Sequence, residues 1–326
     1  MQSVRHKGKD VTALSFRHLL DAHDVKPDDL TKILTQAARY HREAKSGVRR
    51  WHEADGYILA TLFFEPSTRT RFSFESAILR LGGQIITLEQ GMSSSLKKGE
   101  TLPDTARMVS EYADLIVIRH DEVGSAAEFA GLASVPVING GDGANQHPTQ
   151  ALADLYTIQV EKGRLDNLTI GIVGDLKYSR TAHSLLTLMG LYPRNNFVLI
   201  SHPSLRLDPG QKLELEKNGC KVVETADLPG VIRELDVLYV TRVQAERFPS
   251  REDYEAVKDE FCVRVETVAT ARPDLTIMHA LPRVNEIHFD VDNLPQAKYF
   301  AQASRAVFVR MALLSLMKEN GPITAY

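Results

Sequence analysis

Residues 57–71 read Tyr57-Ile58-Leu59-Ala60-Thr61-Leu62-Phe63-Phe64-Glu65-Pro66-Ser67-Thr68-Arg69-Thr70-Arg71. The first eight are an apolar run of strand length, closed by Glu65-Pro66. A helix-like pattern follows from Phe72 to Leu81 and ends at Gly82-Gly83. A strand therefore delivers Ser67 and Thr68 to a helix N-terminus, where free backbone N–H groups and the positive end of the helix dipole collect. Ser and Thr at a helix start can be a cap and nothing more. Here three hydroxyls and two guanidiniums lie within five positions, and that density favours a dianion site, with phosphate the best fit. It is not a nucleotide P-loop, because the spacing GxxxxGK[ST] is absent.

Working outward, short apolar runs alternate with helical patterns. Strands are predicted over 58–64, 84–88, 114–119, 135–139, 168–173, 196–200, 237–240 and 275–279. Helices are predicted over 28–44, 69–81, 102–112, 148–162, 180–189, 210–218 and 304–318. Such alternation argues for an α/β protein with parallel sheets covered by helices on both faces. The first four strands and the last four read as two doubly wound units of similar size. The pattern over 148–162 is uninterrupted, stops at Gly163, and is the expected bridge between domains. The final helix carries an apolar stripe of Val307, Phe308, Met311, Leu314 and Leu316, which by itself does not choose a domain.

The whole chain sets limits on function. Its 326 residues suit two domains or one large one. Hydrophobic residues make up 43% and charged residues 25%, as in ordinary globular proteins. A net charge of −3 provides no global basic field for nucleic acid, so any anion site must be a local cluster. Cys220 and Cys262 are too few for a disulfide framework or a Cys-based zinc site, which fits a reducing, cytoplasmic setting. No uninterrupted apolar run approaches the roughly 18 residues of a membrane span. The basic start, MQSVRHKGKD, lacks the apolar core of a signal peptide.

Other segments carry chemistry of their own. Gly91-Met92-Ser93-Ser94-Ser95-Leu96-Lys97-Lys98-Gly99-Glu100-Thr101 is read two ways. It is either a surface loop with Thr101 capping the next helix, or a lid that brings Lys98 and a serine hydroxyl over an anion. Arg119 and His120 end a buried strand, the usual ligand position in α/β sheets, unless Arg119 only leaves the sheet for solvent. Gly140-Gly141-Asp142-Gly143 permits a sharp turn before His147-Pro148-Thr149-Gln150. Pro148 suits the first helical position, so His147 lies just before a helix start with Gln150 one turn on. No second ligand sits at metal spacing. A His so fixed tends to stay neutral and can donate to a carbonyl oxygen, although a lone His is more often structural. Val173-Gly174-Asp175-Leu176-Lys177-Tyr178-Ser179-Arg180 has one glycine where a dinucleotide fingerprint needs three. That removes an NAD-dependent reading and leaves Arg180 as a carboxylate or phosphate binder. Arg242 and Gln244 lie two apart beyond a strand and share a side in extended backbone. The turn at His279-Ala280-Leu281-Pro282-Arg283 can present carbonyl oxygens to an amine.

Three of these motifs together, Ser67-Thr68-Arg69-Thr70-Arg71, His147-Pro148-Thr149-Gln150 and His279-Ala280-Leu281-Pro282-Arg283, resemble the aspartate and ornithine carbamoyltransferase family. They occur in the family's order, and the resemblance covers nearly the whole chain. It implies a carbamoyl phosphate-binding domain over 1–147, completed by the returning C-terminal helix 303–326, and an amino-acid-binding domain over 148–302. Ornithine enzymes typically carry a Ser-Met-Gly segment and a Cys where this chain has Ala280. The Ser-Met-Gly is absent, whereas Thr241-Arg242-Val243-Gln244 and Lys97-Lys98-Gly99-Glu100 look like the aspartate enzymes. Two guanidiniums, Arg180 and Arg242, suit aspartate's two carboxylates.

Carried over position by position, the resemblance implies that Ser67, Thr68, Arg69 and Thr70 bind the phosphate. Arg119 would reach phosphate and carbonyl, His147 the carbonyl oxygen, and Gln150 the carbamoyl NH2. Ser95, with Ser94 as its alternative in a loop one residue shorter than in the best-known bacterial enzyme, would enter with Lys98 from a neighbouring subunit. Arg180 would take the α-carboxylate of aspartate, Arg242 and Gln244 its side-chain carboxylate, and Leu281 and Pro282 would offer backbone carbonyls. Glu65 would pair with Arg180 and Arg247 on closure. The implied reaction is direct transfer of the carbamoyl group to L-aspartate, early in pyrimidine biosynthesis, with no cofactor, no metal and no protein nucleophile. The implied assembly is a homotrimer with shared sites. Feedback control would come from a separate regulatory chain or an unrecognised site, since this chain has no zinc site or nucleotide-effector motif. Other readings are transfer to ornithine or another amino acid, and a non-catalytic phosphate-binding module on the same fold.

Overall fold

The computed structural model describes residues 13–89, 99–243, 248, 250–255, 257–258 and 260–318. Strands β1 (Ile58–Phe63), β2 (Gln84–Glu89), β3 (Leu115–His120) and β4 (Val137–Asp142) form one sheet in the order β2-β1-β3-β4. Strands β5 (Thr169–Val173), β6 (Asn196–Ile200), β7 (Lys221–Thr225), β8 (Val237–Val240) and β9 (Thr276–His279) form a second, ordered β7-β6-β5-β8-β9. Every pair is parallel. The central strands are buried on both faces, which explains their unbroken apolar character.

Eight of the nine strands coincide with predicted ones to within a few residues; β7 is the exception. It is an edge strand whose residues Lys221-Val222-Val223-Glu224-Thr225 are exposed or half-buried, so it lacks a continuous apolar run. The short helix Ser125–Ala130 was likewise not legible from the pattern.

In open parallel sheets the ligand crevice lies outside the carboxyl ends of the strands, where the strand order reverses. Those reversals fall between β1 and β3 and between β5 and β8. The segments leaving β1, β4, β5 and β8, at and beside these reversals, carry residues 64–70, 143–147, 174–180 and 241–243.

The helix Pro148–Lys162 begins with Pro at its first position and ends at Gly163, whose φ of 69° is left-handed. Ten of its fifteen residues are buried, as befits a helix covered on most sides. The final helix, Tyr299–Met317, packs against this bridge and against α1 (Pro27–Lys45) and α2 (Thr68–Arg80), both of which flank the first sheet in sequence. It starts at Tyr299 rather than Ser304, because Gln302, a polar residue, sits on the buried face of its first turn and interrupts the apolar stripe. By length and hydropathy alone this helix could cross a membrane, yet most of its surface is buried within the fold.

Leu152, fully buried in the bridge, belongs to the largest apolar cluster, which draws on both sheets. Leu152→Ala should cost about 2–5 kcal/mol, read as a lower urea midpoint with an unchanged circular dichroism spectrum before the transition.

Candidate active site

The carboxyl ends of both sheets meet around one cavity of about 710 Å³. From the first half it is lined by Glu65, Ser67, Thr68, Arg69, Thr70, Arg119, His147 and Gln150, and from the second by Arg180, Arg242, Leu281 and Pro282. These twelve are the sequence-predicted site residues that fall in described segments. Ser94, Ser95, Lys98, Gln244 and Arg247 lie outside the described residues. Arg71 is not in the lining and binds Glu75, one turn on, at 2.7 Å. The dianion site at this helix start therefore has one guanidinium from its own segment, Arg69, rather than two.

Ser67 occupies the N-cap position of α2 but makes no side-chain cap bond. The capping alternative therefore does not account for its hydroxyl, which remains for the cavity. Thr101, by contrast, does cap its helix, accepting from Asp104 N.

Register places Arg119 beside this helix start: Phe63 pairs with Arg119 across β1 and β3. Between Ile118 and His120 the pairing with β4 slips by one residue, a bulge at Gly140-Gly141. Gly141 has φ +119°, and a Cβ there would meet Arg180 Cζ at 3.1 Å and Arg119 Nη1 at 3.2 Å. The glycine therefore leaves room for two guanidiniums. Arg180, at the first position of its helix after Ser179, donates to Glu65 at 3.0 and 3.3 Å and to Gly143 O at 2.6 Å. Arg119 Nη1 donates to Gly140 O at 3.3 Å, and its Nε lies 3.2 Å from Glu65 Oε2 as an ion pair outside hydrogen-bond angles. Burial, and then Arg180, lower the Arg119 pKa to about 10, against the opposing pull of Glu65, so the group stays charged at neutral pH. Glu65 thus contacts both Arg180 and Arg119 here.

His147 is buried just before the bridging helix. Thr70 Oγ1 lies 3.3 Å from its Nε2 and Thr149 Oγ1 3.5 Å from its Nδ1, while its N–H donates to Ser184 Oγ at 2.9 Å. Burial first, then Arg180, Arg119 and Arg310, push its pKa well below the ordinary value. The imidazole is therefore neutral and keeps one N–H to donate.

Two polar side chains of the final helix that line the cavity escaped the sequence reading. Arg310, on the final helix, is buried, its pKa is lowered to about 10 by burial, and its Nε has no hydrogen bond among the described residues. Gln302 lies two turns earlier on the same face. An arginine inside an otherwise apolar stripe was the available signal. With it the lining holds five arginines, Arg69, Arg119, Arg180, Arg242 and Arg310, against one carboxylate, Glu65. At Leu281 the backbone is left-handed, with φ 56°, an uncommon state for leucine. Among the described residues no cluster of His, Cys, Asp or Glu could hold a metal ion.

Comparison with known proteins gives a consistent result. Residues 17–160 match the family model "Aspartate/ornithine carbamoyltransferase, carbamoyl-P binding domain", and residues 166–317 match "Aspartate/ornithine carbamoyltransferase, Asp/Orn binding domain". The aspartate carbamoyltransferase catalytic subunits of Clostridium acetobutylicum and Thermococcus kodakarensis are each 49% identical. They cover 93% and 95% of this chain, and 98% and 97% of their own lengths are matched. Among solved structures, the catalytic subunit of M. jannaschii aspartate transcarbamoylase superposes with a TM-score of 0.86 at 46% identity, covering 94% of this chain and 99% of that one. The Trypanosoma cruzi aspartate transcarbamoylase in complex with N-(phosphonacetyl)-L-aspartic acid gives 0.86 at 34% identity, covering 92% and 95%.

The neutral His147 has a thermodynamic consequence. Its folded pKa is depressed, so the unfolded state binds the proton more readily, and stability is lost as pH falls below about 6.5. The stability of the protein relative to His147→Asn should therefore shrink between about pH 7.5 and pH 5.5. Urea unfolding at both values checks this, and an unchanged difference would mean that His147 is not held neutral.

Proposed function

The chain belongs to the aspartate/ornithine carbamoyltransferase family, and we infer that it transfers the carbamoyl group of carbamoyl phosphate to the amine of L-aspartate, giving N-carbamoyl-L-aspartate and phosphate. The observation that carries this reading is the charge of the cavity, five guanidiniums against one carboxylate already engaged by two of them. Carbamoyl phosphate and aspartate are both anionic. Ornithine's side-chain amine would need a free carboxylate, and Glu65 is the only one in the described lining.

On this reading Ser67, Thr68, Arg69 and Thr70 hold the phosphate at the start of α2. Arg119 spans the phosphate and the carbonyl oxygen, His147 donates to that oxygen, and Gln150 accepts from the carbamoyl NH2. Arg180 and Arg242, with Gln244, take the two carboxylates of aspartate, and the Leu281 and Pro282 carbonyls receive amine hydrogens. The amine nitrogen bonds to the carbonyl carbon and forms a tetrahedral oxyanion. The C–O bond to phosphate then breaks, and a phosphate oxygen takes the amine proton. No residue acts as nucleophile, so rate enhancement comes from orientation and from charge placed where the oxyanion develops.

The assembly and organisation follow as part of the same proposal. Residues 1–147 with the final helix form the carbamoyl phosphate-binding domain, and 148–302 the aspartate-binding domain. Three cytoplasmic chains form a trimer in which Ser95 and Lys98 enter the neighbour's site, and a separate regulatory chain is compatible with it. What supports sharing is the family to which the chain belongs.

A carbamoyl-transfer assay on protein of known mass in solution tests the central claim, with turnover expected on aspartate and not on ornithine. Arg119→Ala should lower turnover roughly 100- to 1,000-fold, the scale of losing one oxyanion donor, and His147→Ala should lower it less. Mixing Lys98→Gln with His147→Ala subunits should restore part of the activity, because some sites would then combine two intact halves. No recovery would sink the shared-site arrangement.

A further inference from the structure

Behind the cavity wall, three elements converge on one carboxylate. Asp154 lies one turn after Gln150 on the bridging helix and is fully buried. Its Oδ1 accepts from Gln150 Nε2 at 2.7 Å and from Gln302 Nε2 at 2.6 Å, and its Oδ2 accepts from the Tyr239 hydroxyl at 2.9 Å. It forms no ion pair among the described residues, and burial raises its pKa to about 7. An apolar residue of that size would be cheaper to bury, so the carboxylate needs a reason.

The reason lies in direction. Both glutamines donate to Oδ1, and that oxygen stays an acceptor whether or not Oδ2, which faces Tyr239, carries a proton. It therefore turns the amide nitrogen of Gln150 toward itself and leaves Oε1, which has no partner among the described residues, for the cavity that Gln150 lines. Gln302 is oriented the same way, and its Oε1 accepts the His279 N–H at 2.9 Å. Two residues beyond His279 begin Leu281 and Pro282, which line the same cavity. One carboxylate thus holds the Gln150 oxygen directly and the Leu281-Pro282 turn through Gln302.

We propose that Asp154 is a positioning residue that makes this part of the cavity an acceptor for an NH2 group, by fixing the Gln150 amide with its oxygen outward. The proposal rests on the reading of Gln150 as the partner of the carbamoyl NH2. It adds the source of selectivity for an amide over an isosteric acyl group. Without Asp154 the Gln150 amide can reverse, and its NH2 then confronts the NH2 of the ligand, donor against donor.

The test compares three ligands that differ at this point: carbamoyl phosphate, acetyl phosphate with a methyl in place of NH2, and inorganic phosphate with neither. Asp154→Ala should raise KM for carbamoyl phosphate roughly 10- to 100-fold while leaving the inhibition constants of acetyl phosphate and phosphate within about 3-fold. Asp154→Asn keeps an oxygen for both glutamines and turns its nitrogen to the Tyr239 oxygen, so its KM should stay within about 3-fold of the parent. In a Gln150→Ala background the effect of Asp154→Ala should vanish. Equal weakening of all three ligands, or an undiminished effect in that background, would show Asp154 to be a scaffold residue and overturn the proposal. A Gln150→Ala enzyme with unchanged KM would instead overturn the reading of Gln150, and the positioning role would fall with it. Should Asp154→Ala fail to fold, Asp154→Asn decides: an unchanged KM supports the proposal, and a parallel rise for all three ligands overturns it.

Discussion

Glu65 ties the two sheets together. Its carboxylate receives Arg180 from the second sheet at 3.0 and 3.3 Å and lies 3.2 Å from Arg119 on its own. Arg119 and Arg180 approach the same glycine, and burial followed by the charge of Arg180 depresses the Arg119 pKa. Two such groups can share a half-buried wall only with an anion between them. Glu65 fills that role, and it sits just before the N-terminus of α2. The geometry of that start and the position of Arg180 are therefore coupled through one side chain. Ligand anions would add further compensation to the same wall, which couples binding on one sheet to the placement of groups on the other.

The rest of the cavity depends on buried polar residues that are satisfied from behind. Gln150 and Asp154 lie on one face of the bridging helix, at the i, i+4 spacing that lets them meet. Tyr239 comes from β8 and Gln302 from the final helix. The bridge is thus more than a linker, because its buried face carries both the core leucines and the polar residues that fix the site. Close packing of the buried residues on that face holds it in place.

This division explains what could be read from the sequence. Parallel strands buried on both faces announce themselves by apolar runs, so the two-sheet architecture was legible, and only the half-exposed edge strand β7 was not. Cavity-lining residues at strand ends and helix starts were legible because Gly, Pro, Ser and Arg there have few structural reasons to cluster. Arg310 and Gln302 were missed because a helix of mostly buried residues hides which face meets the site. Asp154 was missed for a related reason: its spacing from Gln150 is visible, but its partners Tyr239 and Gln302 are far away in sequence. Arg71 was over-read, because sequence proximity does not say that successive helical residues point in different directions.

His147 shows why the charge pattern suits transfer without a protein nucleophile. It is held neutral by burial among Arg119, Arg180 and Arg310. A cationic imidazole would add attraction for the phosphate dianion in the ground state as well as in the transition state, and uniform binding does not speed the chemical step. A neutral N–H donates weakly to a carbonyl oxygen and more strongly as that oxygen becomes an oxyanion. Arg119, already charged and fixed by Gly140 O and Glu65, would on the proposed reading meet the same developing charge without reorganising. On the proposed reading, the developing oxyanion thus meets two donors, the permanent charge of Arg119 that is shared with the phosphate and the neutral N–H of His147.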